Sequence, residues 1–114
     1  MSDQIVKTSE INIKVGVNEN NVPIGIHWTA EDGNVTKSPA KAMMLAVWDE
    51  GSKNTMKIDL WTKEMSVEEM KQFFHQTLVT MADSFERATG ETNISEDLRD
   101  YCLHFATKMN ILPE

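Results

Sequence analysis

The sequence is poor in cysteine, and its five glycines are not clustered. Cys102 is the single cysteine, so no internal disulfide can form and no zinc site built on several cysteines can exist. Nucleotide-binding loops need closely spaced glycines at a strand–helix turn, whereas here they are scattered, at Gly16, Gly25, Gly33, Gly51 and Gly90. The sequence therefore predicts neither a disulfide-stabilised protein nor a phosphate-loop enzyme.

Positive charge is also scarce. The chain has 11 Lys and Arg residues against 18 Asp and Glu residues, which gives a formal net charge of −7 at pH 7. Such a surface repels phosphate backbones and anionic lipid headgroups, although the same acidity also serves simply to keep a protein soluble. We therefore expect no nucleic-acid partner and no direct membrane insertion.

Long hydrophobic runs are absent too. The longest, from Ala42 to Trp48, is far shorter than the ~20 residues that a membrane-spanning helix needs. The first residues contain no apolar segment of the kind found in secretion signals. These absences predict a cytoplasmic protein, which reaches the membrane only if a partner recruits it. Residues 1–8 are expected to form a flexible tail, and residues 9–114 a single domain.

Clear periodicity is present, and it first predicts a β-hairpin. Apolar residues alternate with other residues from Ser9 to Val17 and again from Val22 to Ala30, as they do in half-buried strands. The asparagine-rich segment at 18–21 is a turn signal, because asparagine tolerates left-handed backbone and bonds its own main chain.

The segment from Ser38 to about Asp49 is predicted to form a helix. Ser38 would be its N-cap, Pro39 would occupy the first helical position, and Gly51 would follow its end. Apolar residues surround this helix nearly completely. It would therefore be covered on two sides or expose a patch for a partner.

One further strand and two helices complete the predicted pattern. The strand runs from Thr55 to Thr62. A capping box at Ser66 and Glu69 starts a long helix with an apolar stripe at Val67, Met70, Phe74, Leu78, Met81, Phe85 and Ala88. The last helix, capped by Asn93, has its stripe at Ile94, Leu98, Tyr101, Cys102, Phe105 and Met109. This order predicts a two-layer α+β fold (β-β-α-β-α-α), with a small, mainly antiparallel three-stranded sheet and helices on one face.

Few residues suggest catalysis. His27 and Asp59 are predicted on the open face of the sheet, where a His–Asp pair could serve acid–base chemistry. An exposed surface pair or a docking contact is the simpler explanation, and we favour it. Cys102 is placed on the buried side of its helix, where cysteine acts as a small hydrophobic residue. We therefore expect no catalytic, cofactor-binding or metal-binding residues.

Several residues outside the predicted core suggest a protein-docking surface. Leu45, Phe73, Val79 and Leu103 lie away from the main apolar stripes, where neighbouring helices would cover them or leave them free for a partner. Trp61 is predicted beside His27, and aromatic anchors often dominate interface energy. The candidate surface is therefore His27, Asp59, Trp61, Leu45, Phe73, Val79 and Leu103.

Four stretches of the chain, the hairpin at 20–28 and residues 40–49, 58–63 and 70–90, carry a family resemblance that extends from about Ser9 to Leu112. Over these residues the sequence resembles the gliding motility protein GldC family of the Bacteroidetes. The resemblance implies an accessory factor of the gliding apparatus, with the lipoprotein GldB as a suspected partner, and it offers no catalytic residues to carry over.

Two other functions fit the same residues. A chaperone-like or small-ligand-binding protein would use the methionine-rich helix surface, and an enzyme with a site near His27 and Asp59 is the least favoured alternative. Homo-oligomerisation through the open sheet face or an edge strand also fits.

Overall fold

The computed structural model describes residues 3–111, in which five strands precede two α-helices. The chain divides into two units: the strands lie in the unit that ends at Met65, and the helices lie in the unit that begins at Ser66. A short 3₁₀ helix at Glu31–Gly33 follows the second strand. The elements are β1 (Ile11–Val17), β2 (Pro23–Ala30), β3 (Val35–Ala40), β4 (Ala42–Asp49), β5 (Asn54–Trp61), α1 (Val67–Thr89) and α2 (Thr92–Lys108).

The first three strands form one antiparallel sheet in the order β1-β2-β3. Ile13 pairs with Trp28 and Lys14 pairs with His27, so the apolar and polar residues of each strand fall on opposite faces. Ile26, on the apolar face, is only 2% exposed. The predicted hairpin and its alternation are confirmed.

Asn18 organises the turn between β1 and β2. Its side-chain oxygen accepts hydrogen bonds from the backbone N–H groups of Asn20 (2.8 Å) and Val22 (3.1 Å). Asn21 has a φ of 61°, a left-handed conformation that asparagine adopts more readily than most residues. The asparagine run therefore acts as predicted.

Residues 38–49 do not form the predicted helix. Ser38, Pro39 and Ala40 belong to β3, where they pair with Trp28, His27 and Ile26. Residues Ala42–Asp49 form β4. Alanine, methionine and leucine favour helices, but a segment that is apolar all round suits a strand with two apolar faces equally well. Pro39 is tolerated because β3 is an edge strand of its sheet.

β4 and β5 form a second, two-stranded antiparallel sheet. The Asp49 carboxylate accepts a hydrogen bond from the Ser52 N–H (2.8 Å), and the Asp49 carbonyl accepts one from the Lys53 N–H (2.9 Å). Gly51 therefore lies in a hairpin turn and does not end a helix. The strand predicted at 55–62 exists, but it pairs with β4 instead of the first hairpin.

The fold class is α+β, as predicted, but the predicted arrangement of its elements is wrong. Residues 3–111 contain two sheets, of three and two strands, instead of one three-stranded sheet. They contain two α-helices instead of three. Both errors come from assigning residues 38–49 to a helix. That assignment removed β4, with which β5 pairs, and the second half of β3, which pairs with β2.

The capping box predicted for the long helix is present. Ser66 Oγ accepts a hydrogen bond from the Glu69 N–H (3.0 Å), and Glu69 Oε1 accepts one from the Ser66 N–H (3.1 Å). A cap of this type stabilises a helix by about 1 kcal/mol. Gly90, with a φ of 73°, ends α1. α2 begins at Thr92 and its N-cap residue is Glu91, so the predicted N-cap at Asn93 is wrong.

The residues before β1 have no regular secondary structure over 3–10. Ser9 and Lys7 nevertheless hydrogen-bond the carboxylate of Asp32, and these bonds lower its pKa. The predicted tail (1–8) thus includes one residue that is bonded to the strand-containing unit. Residues 1 and 2 of that tail, and residues 112–114 of the predicted single domain, lie outside the described residues.

Candidate docking surfaces

Arg99 of α2 forms ion pairs with α1 and so connects the two helices. Its Nη2 lies 3.0 Å from Asp83 Oδ1 and 2.6 Å from Glu86 Oε1, both on α1. Its Nη1 lies 3.4 Å from Glu96 on its own helix. The hydrogen bonds that Arg99 donates to the Glu86 and Asp83 carboxylates raise the pKa of Arg99. These contacts identify one flank of α1 as the side that faces α2.

A ring pair and small side chains mark the same flank. His75 stacks on Phe105 with ring centroids 6.1 Å apart. Because residue 75 meets 105 while residues 83 and 86 meet 99, the helices run antiparallel. Ala82, Cys102 and Ala106 are buried, and small residues of this kind let two helices approach closely.

The apolar stripe of α1 points away from this contact. The stripe is displaced by roughly 100° around the helix from the flank that faces α2. Val67 is 72% exposed, Met81 58% and Phe74 43%. The stripe predicted from the sequence therefore exists, but it is not what holds the two helices together.

α2 carries a matching stripe. Ile94, Leu98 and Tyr101 are exposed and lie roughly 90° from the buried flank of Cys102 and Ala106. Because the helices are antiparallel, the two displacements point to the same side of the pair. The result is one apolar surface, here named the helical apolar face, formed by Val67, Phe74, Met81, Phe85, Ile94, Leu98 and Tyr101.

The β4–β5 hairpin has an exposed apolar surface of its own. Residues that pair directly across two antiparallel strands share a face. In this hairpin Val47, Met56 and Ile58 are each at least half exposed. The hairpin apolar face consists of Met43, Leu45 and Val47 with their respective partners Leu60, Ile58 and Met56.

The seven residues predicted as a docking surface are spread over several elements. His27 lies in β2, Leu45 in β4, Asp59 and Trp61 in β5, Phe73 and Val79 in α1, and Leu103 in α2. Leu103 and Trp61 are exposed, Leu45 belongs to the hairpin apolar face, and Phe73 and Val79 are half-buried. Their role in docking stays a prediction.

His27 and Asp59 line different cavities. His27 lies in a cavity of about 360 Å³ on the polar face of the three-stranded sheet, with Glu10, Asn12, Lys14, Thr29, Glu31 and Lys37. Asp59 lines one of about 340 Å³ near Pro23, and its carboxylate lies 3.4 Å from Lys57 Nζ. His27 in β2 and Asp59 in β5 belong to different sheets, and the expectation that the protein is not an enzyme stays a prediction.

Cys102 is buried, as predicted, with 4% of its surface exposed. Burial raises the pKa of its thiol. A nucleophilic cysteine needs the opposite shift, because the thiolate is the reactive form. The environment therefore favours the interpretation of Cys102 as a packing residue.

Residues 3–111 provide neither a membrane-spanning helix nor a cluster of metal ligands. Neither helix in this part of the chain combines the length and the apolar character needed to cross a bilayer. The same residues contain no group of three His, Cys, Asp or Glu side chains placed to hold a metal ion. The absence of a cofactor stays a prediction.

The sequence pattern predicted the residues of the helical apolar face but not their exposure. Periodicity identifies both stripes, but it assigned them to the protein interior. The sequence signal for the observed helix contact is a row of small residues on one side of α2. These residues are Ser95, Cys102 and Ala106. Such a row shows which flank can accept a close neighbour.

Comparison with known proteins identifies the family. A family model described as gliding motility-associated protein GldC-like matches residues 23–111, which is most of the chain. No curated protein and no solved structure was found to match. The chain therefore belongs to the GldC-like family of gliding motility-associated proteins.

Proposed function

We propose that this GldC-like protein is a non-catalytic accessory factor of the gliding apparatus of Bacteroidetes and that it acts by docking onto another protein. The helical apolar face carries this proposal. Its large side chains, such as Phe74, Met81 and Tyr101, are between 43% and 58% exposed. Contiguous apolar surface of this kind is uncommon on a protein that works alone and usually marks an interaction site.

The chemistry of the face defines the partner it fits. Aromatic and methionine side chains are enriched in interface cores, and Phe74, Phe85, Tyr101 and Met81 provide them here. The chain carries a net charge of −7, so a partner surface with an apolar centre and a basic rim would complement it. We propose a gliding component of this chemistry, with GldB as the first candidate, reached from the cytoplasm.

A capture experiment from gliding cells tests this proposal. The variant Phe74→Asp with Met81→Asp places two charges in the helical apolar face. The matched control, Gln76→Asp with Thr80→Asp, adds the same charge to exposed positions of the same helix outside the stripe. We expect wild type and control to retain a motility component after crosslinking in cells, and the first variant to lose it.

The same experiment can contradict the proposal. Circular dichroism first establishes that both double variants are folded, which is expected because all four positions are exposed. Recovery of no motility component by wild-type protein would remove the docking function. Equal recovery by all three proteins would remove the helical apolar face as its site.

The chaperone-like or small-ligand alternative has one observation in its favour. Met56 and Met81 are both more than half exposed, and flexible methionine surfaces suit varied apolar ligands. This alternative predicts capture of many unrelated unfolded chains and strong binding of a hydrophobic dye by the native protein. Docking predicts capture of one defined component.

A further inference from the structure

The β4–β5 hairpin leaves one edge of β5 without a strand partner. Within residues 3–111, β5 pairs with β4 and with no other strand. A two-stranded hairpin is marginally stable in water, whereas three or more strands with an apolar face form a stable sheet. Met56 and Ile58, at 55% and 52% exposed, show that the hairpin apolar face is not covered. The free edge is therefore a place where another strand would add stability.

The sequence of β5 complements itself when it is reversed. If two copies align antiparallel with Ile58 opposite the partner's Ile58, Lys57 falls opposite the partner's Asp59, and Asp59 opposite the partner's Lys57. Met56 then meets the partner's Leu60 on the apolar face. Opposite charges placed directly across a strand pair stabilise the pairing, and like charges destabilise it. Because the arrangement has two-fold symmetry, each favourable pair occurs twice.

The charged residues of β5 also favour its edge over the edge of β4 as the place where a second copy binds. β4 has no charged residue between Ala42 and Trp48, so nothing in its interior fixes one alignment with a second copy. In β5, Lys57 Nζ and Asp59 Oδ1 lie 3.4 Å apart on the same face. With the partner's pair beside them, these groups would form an alternating cluster of four charges. A shift of two residues along the strand would break that alternation.

We propose that a second copy of this chain binds along the outer edge of β5, around a two-fold axis at Ile58. The two hairpins then form one four-stranded antiparallel sheet, and their apolar faces become continuous. This homodimer does not depend on the helical apolar face, so it is independent of the proposed docking to a gliding component.

A cysteine placed on the axis tests the geometry. Residues opposite one another in antiparallel strands have Cα atoms about 4.5–5.5 Å apart, which a disulfide can bridge. We expect Ile58→Cys to form a covalent dimer under mild oxidation. Leu45→Cys, on the same face but in β4, and the wild-type protein, whose Cys102 is buried, should stay uncrosslinked.

Charge exchange tests the alignment. Lys57→Asp puts carboxylates opposite carboxylates on both sides of the axis, and Asp59→Lys does the same with ammonium groups. Either variant should weaken dimerisation by about tenfold or more in light scattering over a concentration series. The double variant Lys57→Asp with Asp59→Lys should restore it.

Three results would overturn the inference. One is a wild-type protein that is monomeric at every concentration measured. Another is a dimer whose strength neither single charge variant changes. The third is crosslinking of Leu45→Cys without crosslinking of Ile58→Cys, which would place β4 at the interface.

Discussion

At the scale of single residues, Asp49 is the best-defined anchor of the second hairpin. Its carboxylate accepts hydrogen bonds from Ser52, and these bonds lower its pKa. A lowered pKa means that the folded state binds the proton less readily than the unfolded chain. The hydrogen bonds of the Asp49 carboxylate therefore stabilise the fold fully at pH values above the pKa that Asp49 has in the unfolded chain. This stabilisation is lost as the pH falls through the pKa that Asp49 has in the folded protein.

Asp49→Ala should lower the melting temperature by a few degrees at neutral pH, because the turn loses its acceptor. The difference from wild type should shrink in strongly acidic solution, where the carboxyl group of wild type is protonated as well. Thermal unfolding at a series of pH values measures both effects. Glu50→Ala removes a neighbouring exposed carboxylate and serves as control. A difference that stays constant with pH would contradict this role.

Some contacts of single residues could be predicted from the sequence and others could not. The burial of Cys102 was predicted from the sequence and is confirmed, although the flank of small residues buries it and the rest of the predicted stripe is exposed. The contact between Arg99, Asp83 and Glu86 was not predictable, because long charged side chains fit any exposed position of a helix. The placement of His27 and Asp59 in different sheets depends on strand pairing, which no single residue determines.

At the scale of elements, β4 provides a direct test of strand against helix. Ala46 in β4 and Ala88 in α1 are both exposed, so each can accept a larger side chain without crowding. Ala88→Val should lower the free energy of unfolding by about 0.5 kcal/mol, because valine disfavours helix. Ala46→Val should leave it unchanged or raise it, because β-branched residues favour strands.

Chemical denaturation of the two variants measures these changes against the same wild type. The expected result is opposite behaviour for one and the same substitution. An equal loss of stability in both variants would indicate that residues 42–49 are helical after all.

The elements that the sequence predicted well are those with two agreeing signals. β1 and β2 combine alternation with an asparagine turn, and α1 combines a helical period with a capping box and a terminal glycine. Residues 38–49 have favourable helix composition but no period that excludes a strand. Strand pairing decides their conformation, with β2 for residues 38–40 and with β5 for residues 42–49. The segment taken alone contains no information about such partners.

At the scale of the whole molecule, the proposed docking function depends on the exposed apolar surface of the two helices. The helical apolar face is formed because each helix uses a flank of small residues to contact the other. Its large side chains are left exposed. Sequence periodicity could locate these side chains, whereas their exposure followed only from the identity of the contacting flank.

Spreading of a gliding strain that lacks this protein tests the account most directly. The strain would be complemented with wild type, with Phe74→Asp plus Met81→Asp, with Gln76→Asp plus Thr80→Asp, and with His27→Ala, all confirmed to be present at equal levels. The account predicts that all except the Phe74/Met81 variant restore spreading. Loss of spreading with His27→Ala, together with full function of the Phe74/Met81 variant, would contradict it.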